Sequence, residues 1–216
     1  MMRFHPSSGQ GITVSSTTLQ AFAGGLTFRE YCATLVYHKR HVVEHYQQLD
    51  RIPAPEKEVL KSIANRFRKL NILIITEDWC PDCVLNVPVV IRMAEFMGNA
   101  EARVARRSEI PDVALGYLGY DGKNHLPTVV LWVKDTGREL GYWSERSTPE
   151  RVWLDKFLER NPAPPIDTRS GTPSQKFHRW TVRRIIAERE IHLEKFWLDT
   201  IRELTMLLLS STDSHA

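Results

Sequence analysis

Apolar residues recur along this chain with two alternating periods, and the order of those periods lays out a mixed α/β protein. Thr27 and Glu30 form a capping box ahead of Phe28, Tyr31, Leu35, Val42, Tyr46 and Leu49. That spacing predicts a first helix from Phe28 to about Asp50, ended by Pro53 and Pro55. Val59, Ile63, Phe67 and Leu70 predict a second amphipathic helix over Glu56 to Leu70. The Ile-rich run Asn71 to Thr76 has no polar alternation, the pattern of a strand buried on both faces. From Val84 to Phe96 apolar residues dominate a helix that Gly98 and Asn99 close and Pro88 interrupts. Ala102 to Ala105 reads as a short strand, and Ile110 to Leu118 as a short helix or turn. Pro127 to Val133 is another strand, with proline at its first position. Lys134 to Arg138 has turn composition, so Glu139 to Trp143 is expected to return antiparallel, followed by a helix over Pro149 to Arg160.

The two ends read differently. Residues 1–26 are rich in Ser, Thr, Gly and Gln without periodicity, which predicts an arm lacking regular structure. Residues 27–70 form an N-terminal helical extension, 71–160 the α/β core, and 161–174 a Pro, Ser, Thr and Gly linker. Over 175–216, Phe177, Trp180, Ile185, His192, Phe196, Ile201, Leu204 and Leu208 predict a long C-terminal helix. Its apolar positions suit packing on the domain, with a homodimer through this helix as the alternative.

A length of 216 residues and 42% hydrophobic content suit one domain with extensions. The net charge of +3 is too small to point to nucleic acid. The apolar runs are too short to span a membrane, and Met1 to Pro6 lacks the apolar core of a secretion signal. A cytoplasmic protein is expected. Three cysteines do not make a disulfide framework. Cys80 and Cys83 stand with two residues between them in Trp79-Cys80-Pro81-Asp82-Cys83, between a strand and a helix, where one sulfur can attack and the other resolve.

In order and spacing, the strand Ile72 to Thr76, this motif, Pro88, and Leu126-Pro127-Thr128 before an apolar strand resemble the thioredoxin superfamily. Ile75 to Cys80, Asn86 to Val90, Arg107, Tyr117-Leu118 and Glu139 to Trp143 look more narrowly like a bacterial branch with helical extensions at both ends. The likeness spans about Phe28 to Arg160. It implies a thioredoxin-like fold, with a cis peptide before Pro127 facing the cysteines and Leu126 backbone groups offered to an extended substrate. Two departures stand out. The buried aspartate that thioredoxins carry six residues before the first cysteine is Ile74 here, leaving Glu77, Asp78 or water as proton acceptor. Many members of the narrower branch lack the second cysteine, which this chain keeps as Cys83.

On that fold Cys80 sits at a helix N-terminus, where free amides and the helix dipole favour a thiolate. Asp82 opposes it, which predicts a less acidic thiol and a reductase rather than an oxidant. Trp79, Pro81, Asp82 and Glu77 would tune the site, and Leu126 and Pro127 would shape substrate binding. The expected function is thiol-disulfide oxidoreduction of protein or small-molecule disulfides through Cys80 and Cys83, with electrons returned by a reductase system and no bound cofactor or metal. The alternative is a binding or adaptor protein of the same fold with little turnover. Other signals carry less. Cys80 and Cys83 as half of a zinc site lack a second pair. His41 to His45 matches a metallopeptidase pattern, but on a helix outside the core. Cys32 reads as packing, and the arginines and lysines from Lys176 to Arg184 as a solvated face.

Overall fold

The computed structural model describes residues 4–6, 12–119, 121–163 and 175–211. A short strand β1 (Phe4–Pro6) is followed by α1 (Ser16–Ala23), α2 (Phe28–Thr34), α3 (Lys39–Gln48) and α4 (Ala54–Ala64). Next come β2 (Leu70–Thr76), α5 (Pro81–Met97), β3 (Ala100–Arg106), α6 (Pro111–Leu115), β4 (Thr128–Val133), β5 (Glu139–Ser144) and α7 (Thr148–Arg160). The chain ends in α8 (Gln175–Thr181), a π-helical segment (Val182–Ile186), α9 (Ala187–Arg189), a 3-10 turn (Glu190–His192) and α10 (Leu193–Ser210).

The strands form one mixed sheet in the order β1-β5-β4-β2-β3, parallel between β2 and β3 and antiparallel elsewhere. Every residue of β2 is buried, as its unbroken apolar run requires. Side chains alternate faces along a strand, so Trp132 and Trp143, whose partner in register is Val129, point to opposite sides. Trp132 meets Phe22 of α1 edge to face. Trp143 donates from Nε1 to Glu203 of α10 at 2.8 Å. The sheet is therefore covered by helices on both faces, with α5 packed between it and α3, α4 and α10.

Several expectations need correction. The N-terminal arm is not without structure: β1 extends the sheet beyond β5, and Ser15 caps α1 by accepting from the Thr18 amide at 3.0 Å. The first helix starts at the expected capping box but stops at Thr34, and His38 turns with a φ of 58° before α3 begins. The break has a partner in the core, because the freed Val36 amide donates to Asp78 Oδ2 at 3.2 Å. Residues expected to finish the second helix instead approach the sheet: α4 ends at Ala64, Leu70 opens β2, and Val59 is exposed. The long C-terminal helix is interrupted by π and 3-10 turns before α10. Most of the expected linker, 164–174, and the last residues, 212–216, lie outside the described residues.

Neither extension stands apart. Phe196, Trp197, Ile201, Leu204, Leu207 and Leu208 of α10 are buried against the chain's own α4, α5, α7 and β5. Each large apolar side chain so buried contributes roughly 1.5–3 kcal/mol. Glu203 also accepts from the Thr148 amide at 2.8 Å, satisfying a free N–H in the first turn of α7. His45 of α3 links both extensions to the core, with Nδ1 donating to the Val84 carbonyl at 3.1 Å and Nε2 2.7 Å from Glu190. The second histidine of the metallopeptidase pattern, His45, is thus buried with both ring nitrogens engaged. Among the described residues no helix is long and apolar enough to cross a membrane.

Candidate active site

The residues after β2 turn sharply into α5, and the local sequence explains the turn. The Cys80 amide donates to the Glu77 carbonyl at 3.1 Å, Cys80 is the N-cap of α5 with extended backbone, and Pro81 takes the first helical position. Proline costs nothing there, since that N–H has no helical partner. Cys83 follows one turn in. Both cysteines are free thiols, 4% and 1% exposed. Across from them the Leu126–Pro127 peptide is cis, and the Cys80 thiol donates to the Leu126 carbonyl with Sγ 3.5 Å away. The structure thus brings Cys80, Cys83, Leu126 and Pro127 together.

Burial pushes the Cys80 thiol well above its ordinary range, followed by the neighbouring Cys83 and then the charge of Asp82. The helix N-terminus does not prevail over this burial. Asp82, expected only as a repulsive neighbour, is itself paired on both oxygens. Arg146 reaches Oδ2 at 2.6 Å, and Arg189 contacts Oδ1. Burial raises the Asp82 pKa, but the two arginines outweigh it and hold the carboxyl below its usual value.

The carboxylates considered as proton acceptors are occupied elsewhere. Glu77 Oε1 accepts from the Ser108 amide at 2.7 Å, and Asp78 pairs with Arg106 at 2.8 Å. Ile74 is fully buried. Trp79 lies at the rim with the Arg107 guanidinium 5.7 Å from its ring centre. A cavity of about 420 Å³ is lined by Glu77, Arg107, Ser108, Leu115 and Asn124, and Trp79, Cys80, Cys83 and Pro127 do not line it. A larger cavity of about 630 Å³ runs along β3 between α1 and α6, and neither Cys80 nor Cys83 lines it.

Sequence reasoning missed four residues here. Tyr31 of α2 is buried, and its phenol is pushed far up by burial and then by the thiols, Cys83 ahead of Cys80. Arg146 follows β5, Glu150 sits in α7 and Arg189 in α9. Glu150 is fully buried 2.8 Å from Arg189, and burial pushes its pKa up to about 7 against the pull of that arginine. The one available signal was Asp82 itself, because a carboxylate in the first turn of an apolar helix needs a counter-charge.

A helix-covered mixed sheet with a cis-proline loop facing a Cys-x-x-Cys helix start defines a thioredoxin-like domain. A thioredoxin family profile matches residues 25–157, and the chain belongs to that family. No curated protein matches it. Among solved structures it is similar to a protein of unknown function from Pseudomonas aeruginosa, with 17% identity and a TM-score of 0.58 over 91% of this chain and 99% of that one. It is also similar to an HIV epitope-scaffold, with 17% identity and a TM-score of 0.57 over 89% of this chain and 97% of the scaffold. At that identity these likenesses speak for the fold.

Proposed function

We propose that the protein is a thiol-disulfide oxidoreductase that reduces disulfides of proteins or small molecules through Cys80 and Cys83. The observation that carries this reading is the pair of free thiols at the start of α5, with Cys80 against the Leu126 carbonyl. In the first step Cys80, as thiolate, attacks one substrate sulfur. The substrate S–S bond breaks, a mixed disulfide forms, and the departing thiolate takes a proton. Cys83 then loses its proton and attacks Cys80 Sγ, releasing the second substrate thiol and leaving a Cys80–Cys83 disulfide. Two electrons have passed to the substrate, and a reductase system returns them. Leu126 and Pro127 shape the substrate strand, while Trp79, Pro81, Asp82 and Glu77 tune the turn.

A second reading, a binding protein of this fold with little turnover, draws on the 4% exposure of Cys80 and on Ile74 in place of the family's aspartate. Single-turnover thiol release from a peptide disulfide separates the two. The oxidoreductase releases thiol stoichiometrically, loses this with Cys80→Ser, and with Cys83→Ser accumulates a peptide adduct on Cys80. A wild-type protein that releases no thiol is the binding protein instead.

A further inference from the structure

Three buried charged side chains, Asp82, Glu150 and Arg189, meet at the first turn of α5 together with the partly exposed Arg146, and one of them comes from the C-terminal extension. Arg189 is 1% exposed. Its Nη1 donates to the Pro81 carbonyl at 2.9 Å, and its Nη2 contacts Asp82 Oδ1 and lies 2.8 Å from Glu150 Oε1. Arg146 holds the other Asp82 oxygen and pairs with Glu145 at 2.9 Å. An uncharged tie reaches the same helix, Thr200 of α10 donating to Asn86 at 2.9 Å. A single guanidinium therefore grips both residues that follow Cys80, one by its carbonyl and the other by its carboxylate.

Asp82 lies between the two cysteines, and an unbalanced carboxylate there opposes ionisation of Cys80. The compensation is shared between Arg146, just after β5, and Arg189, from a helix more than a hundred residues along the chain. We propose that Arg189 is a positioning residue of the active site, supplied by the C-terminal extension, which fixes the Pro81–Asp82 turn and, together with Arg146, balances the Asp82 charge so that Cys80 can ionise. This rests on Cys80 being the reacting thiol. Glu150 competes for the same guanidinium, and its raised pKa leaves it partly protonated near neutrality, so that Asp82 keeps the larger share of Arg189. Tyr31, a neutral phenol, also faces the thiols, and Asp78 beside Tyr31 is balanced by Arg106. The C-terminal extension is then part of the site.

The test is the pH profile of Cys80 alkylation by iodoacetamide, read by mass spectrometry on Cys80 in a Cys83→Ser background, which requires no turnover. Arg189→Met should raise the apparent pKa by about one unit, a tenfold drop in thiolate at a given pH below it. Adding Asp82→Asn to Arg189→Met should return the profile to the parent's position or below. Arg189→Lys, which keeps the charge in case the Met variant does not fold, should shift the profile upward by less, since one ammonium lacks the fork that grips carbonyl and carboxylate together. An unmoved profile in both Arg189 variants overturns the proposal, and so does a double variant that stays as shifted as Arg189→Met, which marks a structural role alone. A protein that shows these shifts but releases no thiol from a disulfide keeps the inference and loses the oxidoreductase reading.

Discussion

The two sides of the Trp79–Cys83 turn are anchored by opposite means. On the entering side, Glu77 and Asp78 are held by neighbours at the end of β3, the Ser108 amide and Arg106, and Arg106 also donates to Thr34 at 2.9 Å near the molecular surface. On the leaving side, Asp82 is held by Arg146 and Arg189, whose side chains are 12% and 2% exposed. The entering anchors come with the sheet, since β3 runs parallel beside β2 and brings Arg106 level with Thr76. The leaving anchors require β5, α7 and the C-terminal helices to be docked. The Asp78–Arg106 pair is 12% and 16% exposed and keeps some contact with water, whereas Arg189 serves two buried carboxylates that are left with uncompensated charge if it is lost. The leaving side should therefore govern both stability and thiol chemistry.

The largest expected effect is Arg189→Met, which strands Asp82 and Glu150 and should destabilise the fold by about 3–5 kcal/mol, read as a lowered urea midpoint. A loss below about 1 kcal/mol would erase the contrast between the two sides. Next is Glu150→Gln. The folded pKa of Glu150 is raised from 4.5 to about 7, so the folded state binds the proton more tightly and stability falls as pH rises through that window. Removing the carboxylate should relieve on the order of 3 kcal/mol above neutrality, at about 1.36 kcal/mol per unit, and nothing below pH 4.5. Asp82 has the opposite sign, because its lowered pKa gives stability that is lost only as pH falls below the ordinary carboxylate range. Urea titrations of parent and Glu150→Gln across this range check the slope. The smallest effect is Asp78→Asn on the entering side, about 1 kcal/mol, with the Cys80 alkylation profile unmoved. A shift there as large as that of Arg189→Met would make the two sides equivalent.

Much of this was legible in the chain because it is local. The Ile-rich run of β2, the helix from Pro81 to the Gly98 stop, and the Cys80–Cys83 spacing each depend on a few consecutive residues. What the pattern concealed depends on distant partners. The spacing from Phe28 to Leu49 runs through Leu35 as one helix, yet the chain breaks there, and Asp78, far along the sequence, takes the Val36 amide. In β1 three residues carry too little pattern to announce a strand, which the edge of β5 completes. Arg189 sits among Arg183, Arg184, Glu188 and Glu190, a run that reads as solvated, and Arg183 and Arg184 are indeed exposed while Arg189 turns inward to Asp82. Charge runs do not say which member faces the core.

The central claim, that Cys80 and Cys83 form a reversible dithiol couple, is tested most directly by an equilibrium redox titration of the intact protein. Thiol content and tryptophan fluorescence are followed together, with Cys80→Ser and Cys83→Ser as controls. One two-electron transition at roughly −270 mV, the range of thioredoxin-type reductants, is expected, absent from both variants. A wild-type protein that forms no Cys80–Cys83 disulfide at any accessible potential would contradict it.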